Sequence, residues 1–97
     1  MTDEIKLNAD AVRGAQADAL LSNELLQQAF LGLELSFYDG WRLTEARDTE
    51  ARERLWQAIN IVGKVKDALT KHIIDGKLAQ RQLDDIAKGV RKQFKII

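Results

Sequence analysis

Residues 24–43 read ELLQQAFLGLELSFYDGWRL. Leu26, Phe30, Leu33, Phe37 and Trp41 recur there at alternating spacings of four and three, the repeat of a helix that lays one stripe against another helix. Leu25, Leu31 and Leu35 widen the apolar surface beyond that stripe. Asp39-Gly40 has the composition of a turn, but Trp41 keeps the phase, so the spacing predicts a helix that frays near Arg42.

On the C-terminal side the pattern stops between Thr44 and Thr49, a short polar stretch without periodicity. Asp48 or Thr49 can cap the next helix, with Glu50 in its first turn. That helix shows a second stripe: Leu55, Ile59, Val62, Lys66, Leu69 and Ile73. Ala58, Val65 and Ala68 lie beside it. Lys66 is expected to run its stem along apolar neighbours and lift its charge to water. Glu50–Arg54 and Asp67–Lys71 are i,i+4 ion pairs worth a few tenths of a kcal/mol each, by the usual magnitude of roughly 0.2–0.5. Asp75-Gly76 reads as the stop, with Gly76 left-handed just past the last turn and Lys71 and His72 near the negative dipole end.

Outward again, Asn8 is a plausible cap for a first helix over 9–21, with Asp10 in its first turn, and either residue of Ser22-Asn23 can cap the second or mark a kink. A last segment over 78–94 carries Leu83, Ile86, Val90 and Phe94. The expected fold is therefore all-α: one helical domain with helices at 9–21, 24–43, 49–75 and 78–94. The second and third would form an elongated antiparallel helical hairpin, with the first and fourth flanking it.

Composition agrees with a folded chain. Of 97 residues, 45% are hydrophobic and 31% charged, and there is neither Pro nor Cys. Nothing here breaks a helix by lacking an N–H, and no thiolate can attack a substrate or bind zinc. A chain this short buries only about 60–65% of its unfolded surface, so it must pack well or borrow core from a partner. The start, Met1-Thr2-Asp3-Glu4, is acidic and lacks the basic-then-apolar order of a secretory signal. No apolar run approaches the ~20 residues of a membrane span. A soluble, cytoplasmic-type protein without membrane contact is expected.

Net charge is zero, yet unevenly spread. Residues 1–50 hold four Lys/Arg against ten Asp/Glu, a net of −6; residues 51–97 hold eleven against five, a net of +6. The halves either pair within a hairpin or make a polarised molecule that docks head-to-tail or on an acidic partner.

Catalysis fits poorly. His72 is the single histidine. With Asp75 it offers two ligands on one face, but nothing completes a metal shell. No acid–base pair falls within an apolar pattern, and no Gly-rich phosphate loop is present. Gly63 and Gly89 stand singly inside helical patterns, where each marks close approach of another helix or a tolerated weakness of about 1 kcal/mol. The expectation is a non-enzyme with no cofactor, no metal and no small-molecule substrate.

Two surfaces remain. Lys88, Arg91, Lys92 and Lys95 fall at i, i+3, i+4 and i+7, a basic stripe that could meet DNA phosphates or an acidic partner, or be an ordinary solvated face. The preceding run, Gln80 to Val90, is loosely like the first half of a helix-turn-helix, but the seven residues after it are too few for a recognition helix. The aromatic anchors Phe37, Tyr38, Trp41, Trp56 and Phe94 are candidates for an oligomer or partner interface. Trp56 follows Leu55 and so points off the stripe, as a second-side core residue or an interface anchor.

Four blocks of sequence carry a resemblance. They are Leu20-Leu21-x-Asn23-x-Leu25 with Ala29-Phe30-x-x-Leu33-Glu34 and Trp41; Ala46-Arg47-Asp48 with Arg52-Glu53-Arg54-Leu55-Trp56; Val62-Gly63-Lys64-Val65; and Gly76-Lys77-Leu78-Ala79. Over residues 12–83 the chain resembles a group of short helical proteins of tailed bacteriophages and prophages, encoded among head-assembly and DNA-packaging genes. The shared pattern is one of helix stripes and caps, so no functional residue transfers with it. What the resemblance implies is a viral setting, the host cytoplasm during assembly or the virion, and a non-enzymatic assembly role. The expected partners are further copies of the chain and other phage structural or packaging proteins. A packaging accessory similar to a small terminase subunit, with the basic stripe on DNA, and an adaptor binding a host protein through a helix face are the alternatives.

Overall fold

The computed structural model describes the backbone of residues 2–96 and the side chains of residues 3–89. The fold is all-α: α1 (Thr2–Leu21), α2 (Glu24–Leu43) and α3 (Thr49–Ile96). The chain divides into two compact units. One comprises Met1–Ala19 with Leu69–Ile97, the other Leu20–Ala68. The helix α3 supplies residues to both.

The unit of residues 20–68 is an antiparallel hairpin of α2 and the first part of α3. Of the two possible caps before α2, Asn23 is used: its Oδ1 accepts from the Leu26 N–H at 3.0 Å. Asp48 does the same for α3, accepting from the Ala51 N–H at 3.2 Å. Each satisfies a donor that the first helical turn leaves unpaired, typically worth about 1 kcal/mol. On α3 the inward stripe is the one the spacing predicts. Val62 is buried at its centre, and Leu55, Ile59 and Lys66 are half-buried.

On α2 the stripe departs from expectation by one position. Leu26, Phe30, Phe37 and Trp41 turn inward, but Leu33 is exposed and Glu34 takes its place. The reason lies across the seam, where Lys66 Nζ donates to Glu34 Oε1 at 2.9 Å. A cation on the α3 stripe is thus matched by an anion on the α2 stripe, instead of being lifted alone into water. Both side chains keep substantial solvent contact, so the pair fixes register more than it stabilises.

The other unit is an antiparallel pairing of α1 with the later part of α3. Here the structure corrects three expectations. Asn8 is not a cap but lies inside α1, donating through Nδ2 to the Glu4 carbonyl at 3.0 Å. Asp75-Gly76 is not a stop: α3 runs unbroken from Thr49 to Ile96 and no described glycine has positive φ. The expected third and fourth helices are therefore one, and His72 stands in mid-helix, not at a dipole end.

Gly76 has a different task. A Cβ built on it would lie 2.7 Å from the Gly14 Cα and 3.0 Å from the Asp10 carbonyl oxygen. A Cβ on Gly14 would lie 2.7 Å from the Gly76 Cα and 2.8 Å from the His72 carbonyl oxygen. The two backbones touch, and one turn further on Ala17 and Ala79 are each 3% exposed. Both helices thus carry Gly-x-x-Ala at the crossing. Stability here comes from the dispersion contacts of closely packed backbone, which large side chains would forbid.

Candidate helix-association surface

A two-helix unit has one seam, and a side chain on that seam meets its partner from one side only. The buried hydrophobic residues among those described are accordingly few and of modest size: Ala17, Val62 and Ala79. The larger apolar side chains are left on the flanks.

In the hairpin unit the flanks are ordered rows. Leu31, Leu35 and Tyr38, spaced four and three, run along one side of α2. With Ile59 and Gly63 of α3 they line a groove of about 490 Å³ whose polar members are Glu34, Lys66 and Asp67. Leu31 is 56% exposed and Tyr38 50%. On the other side of α3, Ala58, Ile61, Val65 and Ala68 make a second row at three, four and three, with Ile61 and Val65 exposed. Isolated exposed apolar residues are ordinary; rows at helical spacing are the form in which helices meet other helices.

The aromatic candidates separate. Phe37 and Trp41 are half-buried in the hairpin's own seam. Trp41 is covered by the Arg52 guanidinium, 4.5 Å from the ring centroid. Tyr38 stacks against it at 6.1 Å and 28°, while half its surface faces outward. Trp56 is exposed and borders a shallow hollow with Trp41, Arg52 and Glu53. The side chain of Phe94 lies outside the described residues. So do those of Arg91, Lys92 and Lys95; Lys88, the remaining member of the basic stripe, is exposed.

The sequence pointed to the aromatic anchors and marked Leu31 and Leu35 as extra apolar surface. It did not join them to Ile59 and Gly63. The available signal was the second four-three row beginning at Leu31, out of phase with the first.

Among the described residues, no group of three or more His, Cys, Asp or Glu is placed to hold a metal ion, and no helix is long and apolar enough to cross a membrane. What the flanks of the hairpin present is apolar rows, two aromatic rings with exposed faces, and rim charges. Compared with protein-family models, with curated proteins and with solved structures, the chain matches none.

Proposed function

We propose that this protein is a non-enzymatic assembly component of a tailed bacteriophage or prophage, acting by pairing its helices with those of further copies. The observation that carries the reading is the pair of apolar rows flanking the hairpin, Leu31-Leu35-Tyr38 and Ala58-Ile61-Val65-Ala68, outside a seam in which Val62 is the only buried residue among those described. Burying such rows is worth about 25 cal/mol per Å² of apolar surface, and a second set of helices is the partner that matches their spacing. The viral setting rests on the four sequence blocks that resemble phage head-assembly and packaging proteins.

The test is absolute mass by light scattering across a dilution series. The expected result is a closed oligomer of defined number that dissociates on dilution. A monomer of 11.0 kDa at high micromolar concentration would refute self-association.

A second reading, a DNA-packaging accessory, is favoured by one feature: α3 stays helical to Ile96. Positions 88, 91, 92 and 95 then share one helical face. In that case binding to duplex DNA falls steeply with salt, and replacing Lys92 and Lys95 by Glu lowers the log–log salt slope by about two, at roughly 0.9 per phosphate contact. Binding unchanged by the double replacement would exclude the stripe as the contact.

A further inference from the structure

The two units are closed by side chains of different size. In the hairpin, α2 turns Leu26, Phe30, Phe37 and Trp41 inward, and α3 meets them with Leu55, Ile59 and Val62. In the other unit, α1 turns Leu7, Asp10, Ala11, Gly14 and Ala17 towards α3. Leu7 alone among these is a large apolar residue, and it is half-buried. Ile5 and Val12 stand outside the contact, 70% and 58% exposed. Hydrophobic stabilisation follows the apolar area removed from water, so α1 gains less by closing than α2 does. What holds α1 instead is the backbone contact at Gly14 and Gly76, and dispersion of that kind is lost within about an ångström of separation. The joint is firm when seated and has nothing to hold it part-open.

The start of α2 does not depend on α1 being seated. Its cap is made by Asn23, whose Oδ1 accepts from the Leu26 N–H at 3.0 Å and whose carbonyl accepts from the Gln27 N–H at 3.0 Å. Gln27 Nε2 also donates to the Leu21 carbonyl at 2.7 Å. Leu20 and Leu21 thereby belong with the hairpin, and Met1–Ala19 with the later part of α3.

We infer that α1 is a latch: residues up to Ala19 open from the later part of α3 while the hairpin stays folded. Once apart, α1 is a 20-residue helix without a packed face, a length that is marginal in water. The later part of α3 loses the helix it packs against in that unit, and its Ile73, Gly76, Ala79 and Leu83 face is uncovered. Closed and open are two discrete states, because a seam of glycine and alanine has no looser packing to fall back on. The latch needs no second copy and does not rest on the self-association proposed above.

Native-state hydrogen exchange on the full chain tests it, with Gly32→Ala beside the wild type. In the wild type, amides of residues 5–19 are expected to exchange as one block, on the order of 100-fold faster than those of residues 55–66. Amides of residues 76–89 are expected to exchange with that block. The urea dependence of the block is expected to be smaller than that around Val62, because less surface is exposed on opening. Gly32 lies in α2 with nothing within 4 Å of an added Cβ, so Gly32→Ala stabilises the hairpin alone. It is expected to slow exchange around Val62 by about fivefold and to leave residues 5–19 unchanged.

Equal protection in the two units, or equal slowing of both by Gly32→Ala, would show one cooperative structure and overturn the latch. A smooth gradient of exchange falling from residue 5, with residues 76–89 still protected, would show fraying of a helix end and overturn it too. Self-association protects a hairpin by mass action, so a difference between the units that vanishes on dilution would also overturn it.

Discussion

Replacing Gly76 by leucine is expected to detach α1 from α3 while leaving the α2–α3 hairpin folded. A Cβ at this position meets backbone, the Gly14 Cα at 2.7 Å and the Asp10 carbonyl at 3.0 Å. Backbone cannot rotate out of the way as a side chain can. The helices must separate, and the burial of Ala17 on one side of the crossing and of Ala79 on the other is lost with them. Overpacking a close seam costs about 1–3 kcal/mol, and a leucine side chain here exceeds what that range describes. Freed of α3, a 20-residue helix with little apolar face is marginal in water. Native-state hydrogen exchange reads the result directly: amides of residues 5–19 lose protection, and those around Val62 keep theirs.

The alanine series sharpens this. In an exposed helix interior, Gly→Ala gains up to about 1 kcal/mol. Gly32 and Gly89 are helical, and nothing lies within 4 Å of where a Cβ would stand on either, so both changes are expected to stabilise. Gly14→Ala and Gly76→Ala are expected to destabilise by about 1–3 kcal/mol despite the same propensity gain. Equal effects at all four glycines would mean that α1 and α3 do not meet backbone to backbone.

The same glycine shows where sequence reading succeeds and where it fails. Asp75-Gly76 has the composition of a helix stop, because Gly is the residue that adopts the left-handed C′ conformation most readily. Composition does not distinguish that use from the other one, admitting a second backbone. The information was nevertheless present in the phase: Leu69, Ile73, Gly76, Ala79 and Leu83 recur at intervals of four, three, three and four, all on one helical face, which a helix break would have reset. The stripe Leu55–Ile73 was legible because six positions agree. Leu33 was misjudged because the rule for stripes is apolar, and the residue that turns inward is Glu34, chosen by a cation 32 residues away. The groove was legible only in halves, since its two walls belong to different helices and Gly63 contributes by having no side chain.

Trp41→Ala is expected to produce the largest loss in the hairpin unit. The ring lies at the end of α2, stacked on Tyr38 and capped by the Arg52 guanidinium 4.5 Å from its centroid. Arg52 is held in place by Thr44, whose Oγ1 accepts from Nη1 at 3.0 Å and itself donates to the Trp41 carbonyl at 2.6 Å. Ring, hydroxyl and guanidinium thus close a circuit across the turn, and removing any member loosens the other two. A fully buried Trp→Ala change costs about 3–5 kcal/mol. Trp41 is half-buried, so about 2–3 kcal/mol is expected, read as the loss of protection at Leu55, Ile59 and Val62 amides. Arg52→Ala forfeits a cation–π contact of about 0.5–1 kcal/mol and the hydrogen bond to Thr44, about 1–2 kcal/mol together. Because the two side chains act on each other, the double replacement is expected to cost less than the sum of the singles, with a coupling of about 1 kcal/mol. Strict additivity would show that Arg52 merely rests over the ring. Arg52→Lys separates the two contributions further: it keeps a cation near Trp41 but gives up the planar fork that reaches Thr44, so it is expected to fall between wild type and Arg52→Ala.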